Sequence, residues 1–113
     1  MGYSVLLLGA TGTIGSKIAQ YLALHKHRFT RAAFLTALEN AGPDKETKYA
    51  SVKLERVVGS LTDPSSYSGF EIIISAVGDD LCARQHAYID AAYEGGVKHF
   101  YPAECKTATD PYL

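Results

Sequence analysis

Cysteine is scarce in this chain. Cys82 and Cys105 are the only two among 113 residues. They stand far apart, without the close pairing that a structural zinc site needs, and read as two reduced thiols. Charge of one sign is also lacking. Eleven Lys and Arg face twelve Asp and Glu, for a formal net charge of −1. The basic residues are scattered, which excludes the electrostatic footprint of a nucleic-acid binder or of a protein drawn to an anionic membrane. Long apolar runs are missing too. Val5–Leu8 is far too short to span a bilayer, and "MGYSVLLLGA" has neither a basic leader nor the apolar length of a secretory signal. Leu6 sits where a myristoylation signal would have Ser or Thr. These absences predict a cytoplasmic protein without nucleic-acid or membrane partners. Of the four histidines, His25 and His27 have a short, metal-like spacing. They fall beside Lys26 and Arg28 at the end of a predicted helix, where cations suit the negative helix end, and no third ligand is near, so no metal site is expected.

What is present suits a single globular domain over residues 1–113. Hydrophobic residues make up 47% of the chain, enough for an ordinary core at this length. The stretch "YSVLLLGATGTIGSKIAQYL", Tyr3 to Leu22, opens with a short uninterrupted apolar run, as in a strand buried on both faces of a parallel sheet. Ile14, Ile18 and Leu22 then recur every fourth position, the spacing of an amphipathic helix.

Beyond that helix, Phe29–Leu38 predicts a second strand and residues 41–51 a Gly-, Pro- and charge-rich connection. "VKLERVVGS" predicts a third strand. Asp63 before Pro64 is the N-cap and first-turn pair of a short helix. "EIIISAVGD" predicts a fourth strand, and Asp80–Glu94 a helix with Ala83, Ala87, Ile89, Ala92 and Tyr93 for its apolar face and Gly95-Gly96 as its stop. "VKHFYPAE" predicts a fifth strand. Strands alternating with helical connections give an α/β class, a doubly wound parallel sheet of Rossmann type. Such a domain normally continues to a sixth strand, so the sequence reads as truncated after the fifth, either a fragment or an unusually minimal domain.

In that context the glycines have separate tasks. Gly9 turns the chain out of the strand, Gly12 lets the backbone approach a pyrophosphate, and Gly15 allows close packing of the helix. The first helical amides, including that of Ile14, would hold the phosphates, with Thr11 and Thr13 adding hydroxyls. A three-glycine pattern is weak evidence alone; a strand before it, a helix after it and further βα units strengthen it.

The spacing is GxxGxxG, "GATGTIG". Together with "IIISAVGDDLCARQHAYIDAAYEGGVKHFYPAE" it closely resembles the NmrA-like and isoflavone-reductase-like branch of the atypical short-chain dehydrogenases, over nearly the whole chain. The resemblance implies that the glycine loop binds the pyrophosphate of NAD(P)H. It also implies that Ala76, Val77 and Gly78 line the cofactor, that Gln85 lies nearby, and that Pro102 opens the segment beside the nicotinamide. That segment is Pro-Ser-Glu-Phe-Gly in the family. Here it is "PAEC", with Ala103 for Ser and the Phe-Gly lost.

At the end of the second strand, Thr36 and Ala37 stand where a carboxylate would bond the ribose of NAD or an Arg the extra phosphate of NADP. Without an acid, NADP is favoured over NAD, with Lys45 or Lys48 as substitute cations. No catalytic residue is identifiable. "YASVK", Tyr49 to Lys53, has the spacing of a dehydrogenase Tyr-Lys pair but lies between the second and third strands, the wrong place. Lys106 is too close to Pro102 to serve as the reductases' lysine, and Asp79 and Asp80 read as helix-start acids. The expected function is the cofactor domain of a reductase acting on a small molecule. The alternatives are a redox sensor that reports to a protein partner without turnover, or a decayed product that binds little. The chain by itself is not expected to turn over a substrate. Its fifth strand, left as a sheet edge, predicts self-association, most simply as a homodimer.

Overall fold

The computed structural model describes residues 3–38 and 48–103. Lys45, Cys105 and Lys106 lie outside them. Five strands form one sheet: β1 (Ser4–Leu8), β2 (Arg31–Ala37), β3 (Glu55–Gly59), β4 (Ile72–Ser75) and β5 (His99–Tyr101). Their order is β3-β2-β1-β4-β5, and every pairing is parallel. β1 is buried along its whole length because both its faces are covered. Val5 and Leu7 face one core with Ala19, Leu22, Phe34 and Tyr49. Leu6 and Leu8 face the other with Leu35, Leu61, Ile73 and Tyr88. This is the alternation of a strand applied to an all-apolar sequence. Each such leucine contributes about 1.5–3 kcal/mol relative to an exposed one.

The helices are α1 (Thr13–Leu24), α2 (Asp79–Cys82) and α3 (Gln85–Glu94). A 3₁₀ turn at Pro64–Tyr67 is capped as its sequence predicts: the Asp63 carboxylate accepts from the Ser65 amide at 3.0 Å. The stop of α3 is also as expected. Gly96 has φ +101°, its amide bonds the Tyr93 carbonyl, and the Val97 amide bonds the Ala92 carbonyl, a Schellman closure.

Four expectations need correction. The helix expected over Asp80–Glu94 is two helices, broken at Ala83-Arg84, where the bonds from Arg84 to Leu81 and from Ala87 to Arg84 tighten the chain by one residue. The buried face of α3 is Gln85, Tyr88, Ala91 and Ala92, so that of the expected set only Ala92 is buried. On α1, Ile14 is 69% exposed, and Gly15, Ala19 and Leu22 are the buried residues. Cys82, expected as a reduced thiol, is disulfide-bonded. Gln85 holds the backbone of Ala103 close to the start of α3. Among the described residues, no helix is long and apolar enough to cross a membrane.

Candidate nucleotide cleft

The chain runs from β1 out to β2 and β3 on one side, then returns to place β4 on the other side of β1. The carboxyl ends of β1 and β4 therefore diverge, and a crevice opens between them at the point where strand order reverses. The loop Gly9–Gly12 fills its floor. Gly9 has φ +80°, and a Cβ there would lie 2.5 Å from the Ala76 carbonyl oxygen and 2.9 Å from the Val77 nitrogen. Only glycine lets the exit of β1 run against the exit of β4. Gly15 is buried beneath the same loop, and a Cβ on it would overlap the Gly9 carbonyl.

Gly12 is different. A Cβ there would meet nothing closer than the Gly9 carbonyl oxygen at 3.7 Å and the Ala76 carbonyl oxygen at 3.9 Å. Its backbone is extended, with φ −76° and ψ 174°, and it is the N-cap of α1 without a side-chain cap bond. The Gly12 carbonyl accepts from the Ser16 amide at 2.8 Å. The amides of Thr13, Ile14 and Gly15 precede the first amide with an intrahelical acceptor, that of Ser16, and stand at the positive end of a twelve-residue helix. Thr13 and Ile14 are exposed there.

The crevice has a volume of about 270 Å³. Gly9, Thr11 and Gly12 line one side, and Ala76, Val77 and Gly78 the other. Lys48, Tyr49, Leu61 and Leu81 complete the walls. Six residues expected from sequence thus converge on one space. Thr36 does not line it: the residue is 3% exposed, and its hydroxyl accepts from Arg56 Nε at 3.1 Å. Gln85 and Pro102 do not line it either. Gln85 Nε2 donates to the Ala103 carbonyl at 3.0 Å and Oε1 accepts from the Ala103 amide at 2.8 Å, so this side chain splints the segment after β5. Asp79 and Asp80 open α2 directly after Gly78.

Lys48, named from sequence as a substitute cation, lines the crevice, whereas sequence reasoning missed Tyr49 and Leu61, because their approach is tertiary. Tyr49, set aside as half of a spurious catalytic pair, packs its ring 6.1 Å from that of Phe34. Lys53, the other half, lines a second groove of about 330 Å³ between α1 and residues 48–53, which shares Ala10, Thr11 and Lys48 with the crevice. Among the described residues, no three His, Cys, Asp or Glu side chains are grouped as metal ligands.

A parallel 3-2-1-4-5 sheet with a sterically forced glycine loop at its switch point defines a Rossmann-like domain. The chain belongs to the NmrA-like family, whose model matches residues 1–112. It is 32% identical over 108 residues to the Aspergillus flavus "Oxidoreductase aprR", covering 92% of this chain and 34% of that protein. Among solved structures it is similar to an isoflavone reductase, at 29% identity and TM-score 0.68, with 92% of this chain and 36% of that one covered. It is also similar to AtPrR2 with NADP+ and (+)pinoresinol, at 25% identity and TM-score 0.76, covering 92% and 37%. The leucoanthocyanidin reductase of Vitis vinifera, in binary complex with NADPH, matches at 25% identity and TM-score 0.70, covering 89% and 36%. The chain spans about a third of the length of these relatives.

Proposed function

We propose that this chain is the dinucleotide-binding domain of an NmrA-like reductase and takes NADP(H) in preference to NAD(H). The observation that carries the reading is the space in front of Gly12. Gly9 and Gly15 are glycines because backbone occupies the place of a Cβ, whereas at Gly12 that place is open. A residue without a side chain beside an open crevice, at the N-terminus of α1, is what close approach of a pyrophosphate requires. The amides of Thr13, Ile14 and Gly15 and the hydroxyls of Thr11 and Thr13 hold the phosphates in this reading. Ala76, Val77 and Gly78 line the cofactor toward its nicotinamide, and Gln85 fixes the strand-exit segment that begins at Pro102. The nicotinamide, when bound, supplies or accepts a hydride; this chain's own residues bind and orient it.

Two observations support NADP. β2 ends in Thr36-Ala37, with no carboxylate to repel a 2′-phosphate, and Lys48 lines the crevice. The relatives solved with NADP+ and with NADPH agree with that choice. Titration calorimetry with NADP+ and NAD+ tests the reading. The expected result is binding of both with NADP+ the tighter, and its loss in Gly12→Val, whose side chain would fill the pyrophosphate space. Equal affinity of wild type and variant, or no binding by the wild type, would overturn it.

A further inference from the structure

We propose that the outer face of α1 docks an acidic amphipathic helix of a protein partner. Gly15, Ala19 and Leu22 turn the inner face of this helix to the sheet. Ile14, Lys17, Tyr21 and Leu24 then fall together on the opposite face, in steps of three, four and three residues. Ile14 is 69% exposed, Tyr21 57% and Leu24 77%. Single apolar side chains on a surface are ordinary. Three large ones in line along one helix, at the spacing of a coiled-coil seam, form the kind of stripe that a second helix covers.

Charge gives the partner its chemistry. No Asp or Glu precedes Glu39, whereas Lys17, Lys26, Arg28 and Arg31 do. Glu55 engages Arg31. Lys17, Lys26 and Arg28 are exposed and have no ion-pair partner among the described residues. Lys53 adds a cation along the flank of α1, in the groove where residues 48–53 meet Gln20 and Ala23. The negative end of the helix accounts for the cations of Lys26–Arg28 but not for Lys17, which stands within the exposed stripe. A helix with leucines on one side and carboxylates beside them matches both properties. Its apolar side covers Ile14, Tyr21 and Leu24, and its acids meet Lys17 and the cations at the end of α1. An anionic membrane would attract the same cations, but three side chains in one line offer it little apolar area to insert.

The probe is a lactam-stapled peptide of about three heptads, with Leu at the seam positions and Glu at the flanking ones. Its control carries Lys in place of Glu. In fluorescence anisotropy with the purified protein the Glu peptide is expected to bind, less tightly as salt is added, and the Lys peptide not to bind. The amide resonances of Lys17, Tyr21 and Leu24 should shift on titration. Lys17→Glu and Leu24→Glu should each weaken the Glu peptide by about tenfold or more. Leu24→Glu should leave NADP+ affinity within about twofold of wild type, which separates failure of this surface from failure of the dinucleotide cleft. Thermal melts report whether the variants are folded, and Leu24→Ala serves the same comparison where the glutamate melts early. No binding of the Glu peptide, equal binding of both peptides, or binding unchanged in the variants would overturn the proposal. Sedimentation with phosphatidylserine vesicles that Leu24→Glu abolishes, without peptide binding, would replace it with a membrane surface. A wild-type dimer that Leu24→Glu splits, again without peptide binding, would overturn it in favour of a second copy of this chain.

Discussion

Gly9, Gly12 and Gly15 look alike in the sequence, and their spacing is enough to mark a strand-to-helix loop. Their reasons for being glycine separate only in three dimensions. Gly15 presses against Gly9, and Gly9 against Ala76, so a methyl group at either must displace backbone. Gly15→Ala is expected to destabilise the fold by about 1–3 kcal/mol, the usual cost of overpacking. Gly12→Ala meets no atom closer than 3.7 Å. Its poorer N-cap costs a few tenths to about 1 kcal/mol, and the stiffer unfolded chain returns a similar amount. If capping were the requirement, Ser or Asp would serve better there. Paired melts and NADP+ titrations should therefore dissociate: Gly15→Ala lowers the melting temperature, while Gly12→Ala leaves it nearly unchanged and weakens the nucleotide. A Gly12→Ala protein that melts early and binds normally would reverse the assignment. Thr36 shows where residue-level reading fails. Its position at the strand end was legible, but its burial and its bond to Arg56 arise from cross-strand neighbours that no local pattern reports.

At the scale of elements, capping and stop signals were read well because they act locally: Asp63 caps its turn and Gly95-Gly96 closes α3. The face of α3 was misread because alanines carry little preference for either side, and the large buried residue is Tyr88 rather than Tyr93. Gln85 is buried because its amide satisfies two backbone groups of Ala103. Gln85→Ala is expected to cost about 1–3 kcal/mol, since it removes two hydrogen bonds from the half-buried backbone of Ala103. Amide exchange at Ala103 should accelerate with it; unchanged protection there would show that other contacts hold the segment.

A second element-level device joins the starts of β2 and β3, away from the cleft. Arg31 Nε donates to both Glu55 carboxylate oxygens, at 2.9 and 3.1 Å, and its Nη2 makes a further close contact with Oε2. These hydrogen bonds hold the Glu55 carboxyl below its ordinary value against an opposing effect of burial, with a still smaller charge attraction on their side. They likewise raise the Arg31 guanidinium. A depressed carboxyl contributes stability that is present above its unfolded value and is lost as pH falls through its folded one. With both side chains more than a third exposed, the contribution is below about 1 kcal/mol and weakens with salt. Glu55→Gln should accordingly melt slightly earlier than wild type at pH 7, and the two curves should converge in acid. A gap that persists below the folded value would assign the effect to packing.

For the molecule as a whole, alternating strands and helical connections sufficed to give a parallel sheet, and the glycine loop together with the end of the fourth strand marked the crevice in the sequence. Lys48 was legible as a candidate cation, but nothing local could have shown that Tyr49 and Leu61 gather beside it, since they come from the segments on either side of β3. The sheet joins that gathering to the glycine loop through β1 and β2, so ligand binding should stabilise the fold globally. At a hundredfold excess over its dissociation constant, a ligand bound only by the native state adds about 2.7 kcal/mol. With an unfolding entropy of about 2.1 cal/mol/K per residue, a domain of this size should melt roughly 10 °C higher. Circular-dichroism melts in saturating NADP+ should show that rise in the wild type and none in Gly12→Val. A cooperative wild-type melt that does not move with NADP+ would mean that the crevice, however well formed, is not a nucleotide site.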